Sequence, residues 1–86
     1  MSDARIYRYE VPVDDQWHAI TGCSTPLHID SRDPQVVEFW AWPRPDLPAR
    51  FFRVFGTGHP IPDGAVYRGT TVAPGGVLVW HLLEDR

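Results

Sequence analysis

The sequence predicts an all-β domain, a single small antiparallel sandwich or barrel of six to seven short strands with at most one helical turn. Three observations carry this. Short runs alternate polar and apolar residues with the period of two that a strand requires. Turn signals rich in proline, glycine and aspartate punctuate the chain every ten residues or so. Helical periodicity with caps is missing throughout, and Pro43, Pro45 and Pro48 bar a helix from the middle of the chain.

Ile6–Val11 reads as the first strand, with Tyr7, Tyr9 and Val11 on one face and Ile6, Arg8 and Glu10 on the other. The turn residues Pro12–Gln16 lead into a short apolar piece, Trp17–Ile20. After the Gly22–Pro26 turn, Leu27–Asp30 can pair back as a third strand, and Arg32-Asp33-Pro34 turns again. The one helical turn allowed falls at Asp33–Val37, where Asp33 could cap and Pro34 could take the first helical position. Val36–Trp42 places Val36, Glu38, Trp40 and Trp42 opposite Val37, Phe39 and Ala41, and its β-branched and aromatic content favours a strand.

The stretch Phe51–Gly64 organises the rest. Phe51, Arg53 and Phe55 fall on one face of a central strand and Phe52 and Val54 on the other, so both faces are largely apolar. Such a strand belongs inside a sandwich, a barrel or a subunit interface. Val66–Val72 follows, with Gly69 marking a bulge or a close backbone approach. Ala73-Pro74-Gly75-Gly76 is a hairpin turn. The last strand, Val77–Leu83, is apolar on both faces apart from His81, which predicts a central or interfacial place and self-association.

The 86 residues read as one domain, 1–86. A chain this short buries roughly 60–65% of the surface its unfolded form exposes. Four tryptophans, four phenylalanines and three tyrosines are more than such a core easily hides, so some aromatics are expected to face a partner or ligand. A formal charge of −3, with no basic cluster, argues against nucleic-acid binding by counterion release. Cys23 is alone, which rules out an intrachain disulfide and fits a reducing cytoplasm. No apolar run approaches a membrane span, and Met1–Arg5 opens no signal peptide, so no membrane partner is expected.

Phe-Trp-Ala at the centre, Phe-Arg-Val-Phe-Gly-Thr-Gly-His-Pro-Ile at Phe52–Ile61 and Val-Leu-Val-Trp-His-Leu at Val77–Leu82 resemble a family of small uncharacterised proteins of tailed phages and actinobacteria. The resemblance covers nearly the whole chain. It carries no activity, cofactor or catalytic residue; what it implies is a phage or mobile-element accessory protein in the cytoplasm of a bacterial host cell.

Gly56-Thr57-Gly58-His59 invites an anion-binding reading, because clustered glycines let backbone N–H groups approach a ligand. The spacing lacks the Gly-Lys-Ser/Thr ending of a phosphate loop, and a turn leaving the central strand accounts for the same residues. Arg53 and Arg68 are the anion partners nearest to this loop if the fifth and sixth strands are neighbours. Histidines 18, 28, 59 and 81 with Cys23 show no zinc-ligand spacing, so no metal and no cofactor is assigned. Cys23, His59 and Asp63 could form a hydrolytic trio, yet no local signature supports it, and no catalytic residue is expected. Leu78, Trp80 and Leu82 are the candidate interface residues, since Trp anchors many contacts. The function expected is a non-enzymatic interaction module, a homo-oligomer binding a host protein or a small ligand. Anionic-ligand binding or hydrolysis at Gly56–Asp63, and a minor virion component, are the alternatives.

Overall fold

The computed structural model describes residues 3–86; Met1 and Ser2, where the N-terminal segment judged above to carry no signal peptide begins, lie outside the described residues. Seven strands form: β1 (Tyr7–Pro12), β2 (His18–Ile20), β3 (His28–Asp33), β4 (Val36–Ala41), β5 (Arg50–Gly56), β6 (Val66–Val72) and β7 (Val79–Glu84). They build two antiparallel sheets, β1-β4-β3 and β2-β5-β7-β6, which do not close into a barrel. No helix occurs among the described residues, hence none long and apolar enough to cross a membrane.

The predicted parities hold. Val11, Val37, Phe39 and Ala41 turn inward from the three-stranded sheet to meet Phe52, Val54 and Leu82 of the four-stranded one, with Ile29 and Cys23 completing the core. The Phe39 and Phe52 rings meet across the sheets at 4.9 Å, and Tyr9 stacks on Phe39 at 5.2 Å. The sandwich is thin, with Cα extents of 45 × 29 × 16 Å. Its radius of gyration of 13.0 Å exceeds the about 12 Å expected of a compact chain of this length. Two layers leave two outer faces with no further strand or helix over them among the described residues, although neighbouring side chains bury Phe55 and Leu83 on one and Glu38 on the other.

The helical turn expected at Asp33–Val37 does not form. Asp33 pairs with Val36 across a two-residue turn of Pro34 and Gln35, and the Asp33 carboxylate accepts the Gln35 N–H at 2.9 Å. Proline's fixed φ suits the first corner of such a turn as well as it suits a helix start. Arg32 and Asp33, read as turn, therefore extend β3 across a bulge. Gly69 does mark a bulge in β6, and it also permits a close approach: a Cβ there would lie 3.0 Å from Ile29 Cδ1, where β6 packs on β3. At the last hairpin Gly75 and Gly76 both take positive φ. Strand β7 starts two residues later than predicted, leaving Val77 and Leu78 in the loop. The order of the second sheet sets β7 between β5 and β6, so the fifth and sixth strands are not neighbours.

Candidate functional site

Gly56–His59 is a tight turn in which the His59 N–H donates to the Gly56 carbonyl at 3.1 Å. Gly58 holds φ at +88° in its third position, a value that glycine adopts without steric cost. Gly56 must also stay small, because a Cβ there would meet the His59 ring at 3.2 Å and Trp80 at 3.4 Å. The turn and the segment entering β7 border a shallow recess of about 460 Å³, lined by Gly56, Thr57 and His59 on one side and Val77–Trp80 on the other. Behind it runs a polar seam. His81 lies between two hydroxyls, Thr57 Oγ1 at 2.7 Å from Nε2 and Thr70 Oγ1 at 2.8 Å from Nδ1, and Thr70 meets the Tyr67 hydroxyl at 2.6 Å. A neutral imidazole donates from one nitrogen and accepts at the other, so one threonine receives the ring proton and the other supplies one.

The two arginines assigned to this loop sit elsewhere. Arg68 donates to Glu84 at 2.9 Å beside the Arg50 fork, whose Nε and NH2 reach the same carboxylate at 2.7 and 2.8 Å. Glu84 pairs with Phe52, four residues or about 13 Å along β5 from Gly56. Burial pushes the Glu84 carboxyl up, and the Arg50 and Arg68 hydrogen bonds more than reverse this, leaving it below its ordinary value. Arg53 lies on the outer face of the four-stranded sheet, its guanidinium 4.5 Å above the Phe55 ring. The neighbourhood assumed for Arg53 and Arg68 thus fails for want of adjacent strands.

Cys23 is in the core beside Arg50, where burial pushes its thiol up, while His59 and Asp63 are exposed on the far loop. No trio assembles from them. Among the described residues no cluster of His, Cys, Asp and Glu has a metal-holding arrangement. His18 is engaged with Asp14 at 2.7 Å, and that contact holds the exposed Asp14 carboxyl below its usual range.

Of the proposed interface residues, Leu82 is fully buried and Trp80 packs against the core; only Leu78 is well exposed. Strand β7 presents the opposite parity outward, Val79, His81 and Leu83. Cross-strand pairing continues that surface through Phe51, Arg53 and Phe55 of β5 and Tyr67, Thr70 and Val72 of β6. Trp17, from the β1–β2 connection, sets its edge against Phe55 at 6.0 Å. Phe51, Tyr67 and Val72 are 44, 60 and 53% exposed. This apolar face was readable as the two-sided apolarity of Phe51–Phe55 and Val77–Leu83, once one asks which parity the other sheet covers.

The outer face of the three-stranded sheet is unlike it. Glu10, Glu38 and Asp30 stand in one cross-strand row, and Glu38 is only 4% exposed. Arg32 donates to it through Nε at 2.8 Å and NH2 at 2.6 Å, and Arg8 donates through NH1. The Arg32 hydrogen bonds, against the opposing effect of burial and with help from Arg8, hold the Glu38 carboxyl down to about 2. A recess of about 250 Å³ lies over this cluster, and another, of about 440 Å³, opens between Tyr7, Trp42 and the segment Asp3–Arg5.

A family model described as a domain of unknown function (DUF7352) matches residues 2–86, and the chain belongs to that family. No curated protein and no solved structure matches it.

Proposed function

We propose that this chain is a small non-enzymatic interaction module that works as a homo-oligomer, of the kind a phage or mobile element would direct at a host protein in the bacterial cytoplasm. The observation that supports it is the outer face of the four-stranded sheet. Phe51, Tyr67, Val72 and the half-buried Trp17 and Val79 stand on this face around the buried Phe55 and Leu83, with no third layer of strands or helices over them among the described residues. An outer face of an antiparallel sheet that meets water carries polar residues at these positions. Flat apolar faces with aromatic and arginine residues suit protein contacts, in which a rigid sheet loses little entropy. Light scattering on a sizing column tests this. The parent is expected to elute as a dimer or larger at tens of micromolar, and Phe51→Lys and Val72→Lys as monomers with unchanged circular dichroism; a monomeric parent overturns the reading.

A second reading, an anionic small ligand at Gly56–Asp63, is favoured by the recess between Gly56–His59 and Leu78–Trp80. His59 there is exposed and can supply a donor or an acceptor.

A further inference from the structure

Arg53 has a carboxylate nearby yet does not bond to it. Arg8, Arg32, Arg44, Arg50 and Arg68 each hydrogen-bond a carboxylate. Arg53 instead has its nearest carboxylate oxygen, Asp15 Oδ1, 4.0 Å from NH2, and its Nε is buried without a hydrogen-bond partner among the described residues. The guanidinium packs over Phe55, and no side-chain hydrogen bond from it to a carboxylate occurs among the described residues.

Asp15 is the complementary half. It is the one non-glycine residue among those described with positive φ, at 61°, and its side chain is 80% exposed. Asp14 fixes the turn around it, accepting the Gln16 N–H at 3.1 Å and engaging His18 at 2.7 Å. A strained conformation held by its surroundings is a mark of a constrained site. The turn therefore presents an exposed carboxylate at the rim of the apolar face, 4.0 Å from a guanidinium that it faces as a counter-charge without hydrogen-bonding it.

A surface carrying a plus and a minus side by side is self-complementary under a two-fold axis. A two-fold rotation that sets Arg53 of one copy against Asp15 of another sets the reciprocal pair as well. The recesses of about 250, 440 and 460 Å³ are lined by other residues, and Arg53, Phe51, Phe55 and Trp17 lie outside them. We propose that the occupant of this face is a second copy of the chain, and that Arg53 of each protomer takes Asp15 of the other as its counter-ion. The proposal rests on the reading of this face as the contact surface.

Charge exchange tests it. In Arg53→Glu the reciprocal contacts become Glu against Asp, and in Asp15→Arg they become Arg against Arg. Each variant alone is expected to weaken self-association about tenfold or more. An equimolar mixture forms a heterodimer in which both contacts are opposite in sign, and its association should return to within about threefold of the parent. Recovery on mixing cannot come from an intrachain pair, which mixing leaves unchanged. A dimeric parent whose two variants stay dissociated when mixed overturns the Arg53–Asp15 exchange and leaves the contact face standing; a monomeric parent removes both. Should Arg53→Glu fold poorly by circular dichroism, Asp15→Arg at its exposed turn decides alone, since undiminished dimerisation of that variant contradicts the exchange.

Discussion

On the outer face of the three-stranded sheet a buried carboxylate takes hydrogen bonds from arginines on both flanking strands, whereas on the outer face of the four-stranded sheet a half-buried arginine takes part in none. Both faces belong to one thin sandwich, and among the described residues neither has another strand or helix over it. The first makes itself compatible with water. Three acidic residues in one cross-strand row would repel, and Arg8 from β1 and Arg32 from β3 neutralise the middle one while tying three strands together. The second has no carboxylate network of that kind; apart from Arg53, it carries the Thr57–His81–Thr70 seam with the Tyr67 hydroxyl. An 86-residue chain with a thin core has little reason to leave apolar area in water unless a contact removes it.

The largest effect that can break the comparison is a test of parity. Phe52 and Phe51 are neighbours on β5, one fully buried and in contact with Phe39, the other 44% exposed on the outer face. Phe52→Ala is expected to cost about 3–5 kcal/mol, enough to unfold a domain of this size. Phe51→Ala should cost about 1 kcal/mol or less in the isolated chain. Urea unfolding at low protein concentration measures both, and equal losses would mean that the outer face is a second core.

Glu38 gives the next largest effect. Glu38→Ala leaves two arginines side by side without their shared carboxylate and removes the tie across the sheet, and a loss on the order of 2 kcal/mol is expected. The pH dependence has a definite sign. The carboxyl titrates at about 2 in the fold against 4.5 as its ordinary value, so its contribution is fully present above about 4.5 and fades as the pH falls toward 2. Urea midpoints taken across that window should fall for the parent and flatten for Glu38→Gln. Identical slopes would show that the ion network does not stabilise this face.

The strands were legible because parity and turn chemistry are local. Tyr9 and Val11, Val37 and Phe39, and Phe52 and Val54 all face inward as alternation dictates. The order of the strands was not, because β1 pairs with β4 and β5 with β7 across long stretches of chain. That single gap displaced the site. Arg53 and Arg68 looked like partners of the Gly56 loop only while β5 and β6 were taken as adjacent, and Trp80 and Leu82 looked like interface residues only while the covered side of β7 was unknown. Asp33-Pro34 misled for a different reason: a capping aspartate followed by proline opens a helix or closes a hairpin equally well, and the later pairing of Val36 with Asp33 decides.

The smallest effect sharpens the comparison at the polar end of the apolar face. Thr57 Oγ1 bonds His81 Nε2 at 2.7 Å in an exposed position, so Thr57→Ala removes one solvent-accessible hydrogen bond. A loss of about 0.5–1 kcal/mol is expected. His59→Ala removes a ring that lies against Gly56 without a side-chain hydrogen bond of its own among those described, and should cost about the same or less. Both variants therefore remain folded, and any larger change in activity reports on binding and not on stability. If the loop only turns the chain from β5 toward β6, melting temperature and biological activity shift together by a few degrees and a few per cent. If the recess beside Trp80 holds an anionic ligand, His59→Ala loses activity with its melting temperature unchanged, while Phe51→Lys on the open face still dissociates the oligomer; that separation of the two variants would give the face and the recess different roles.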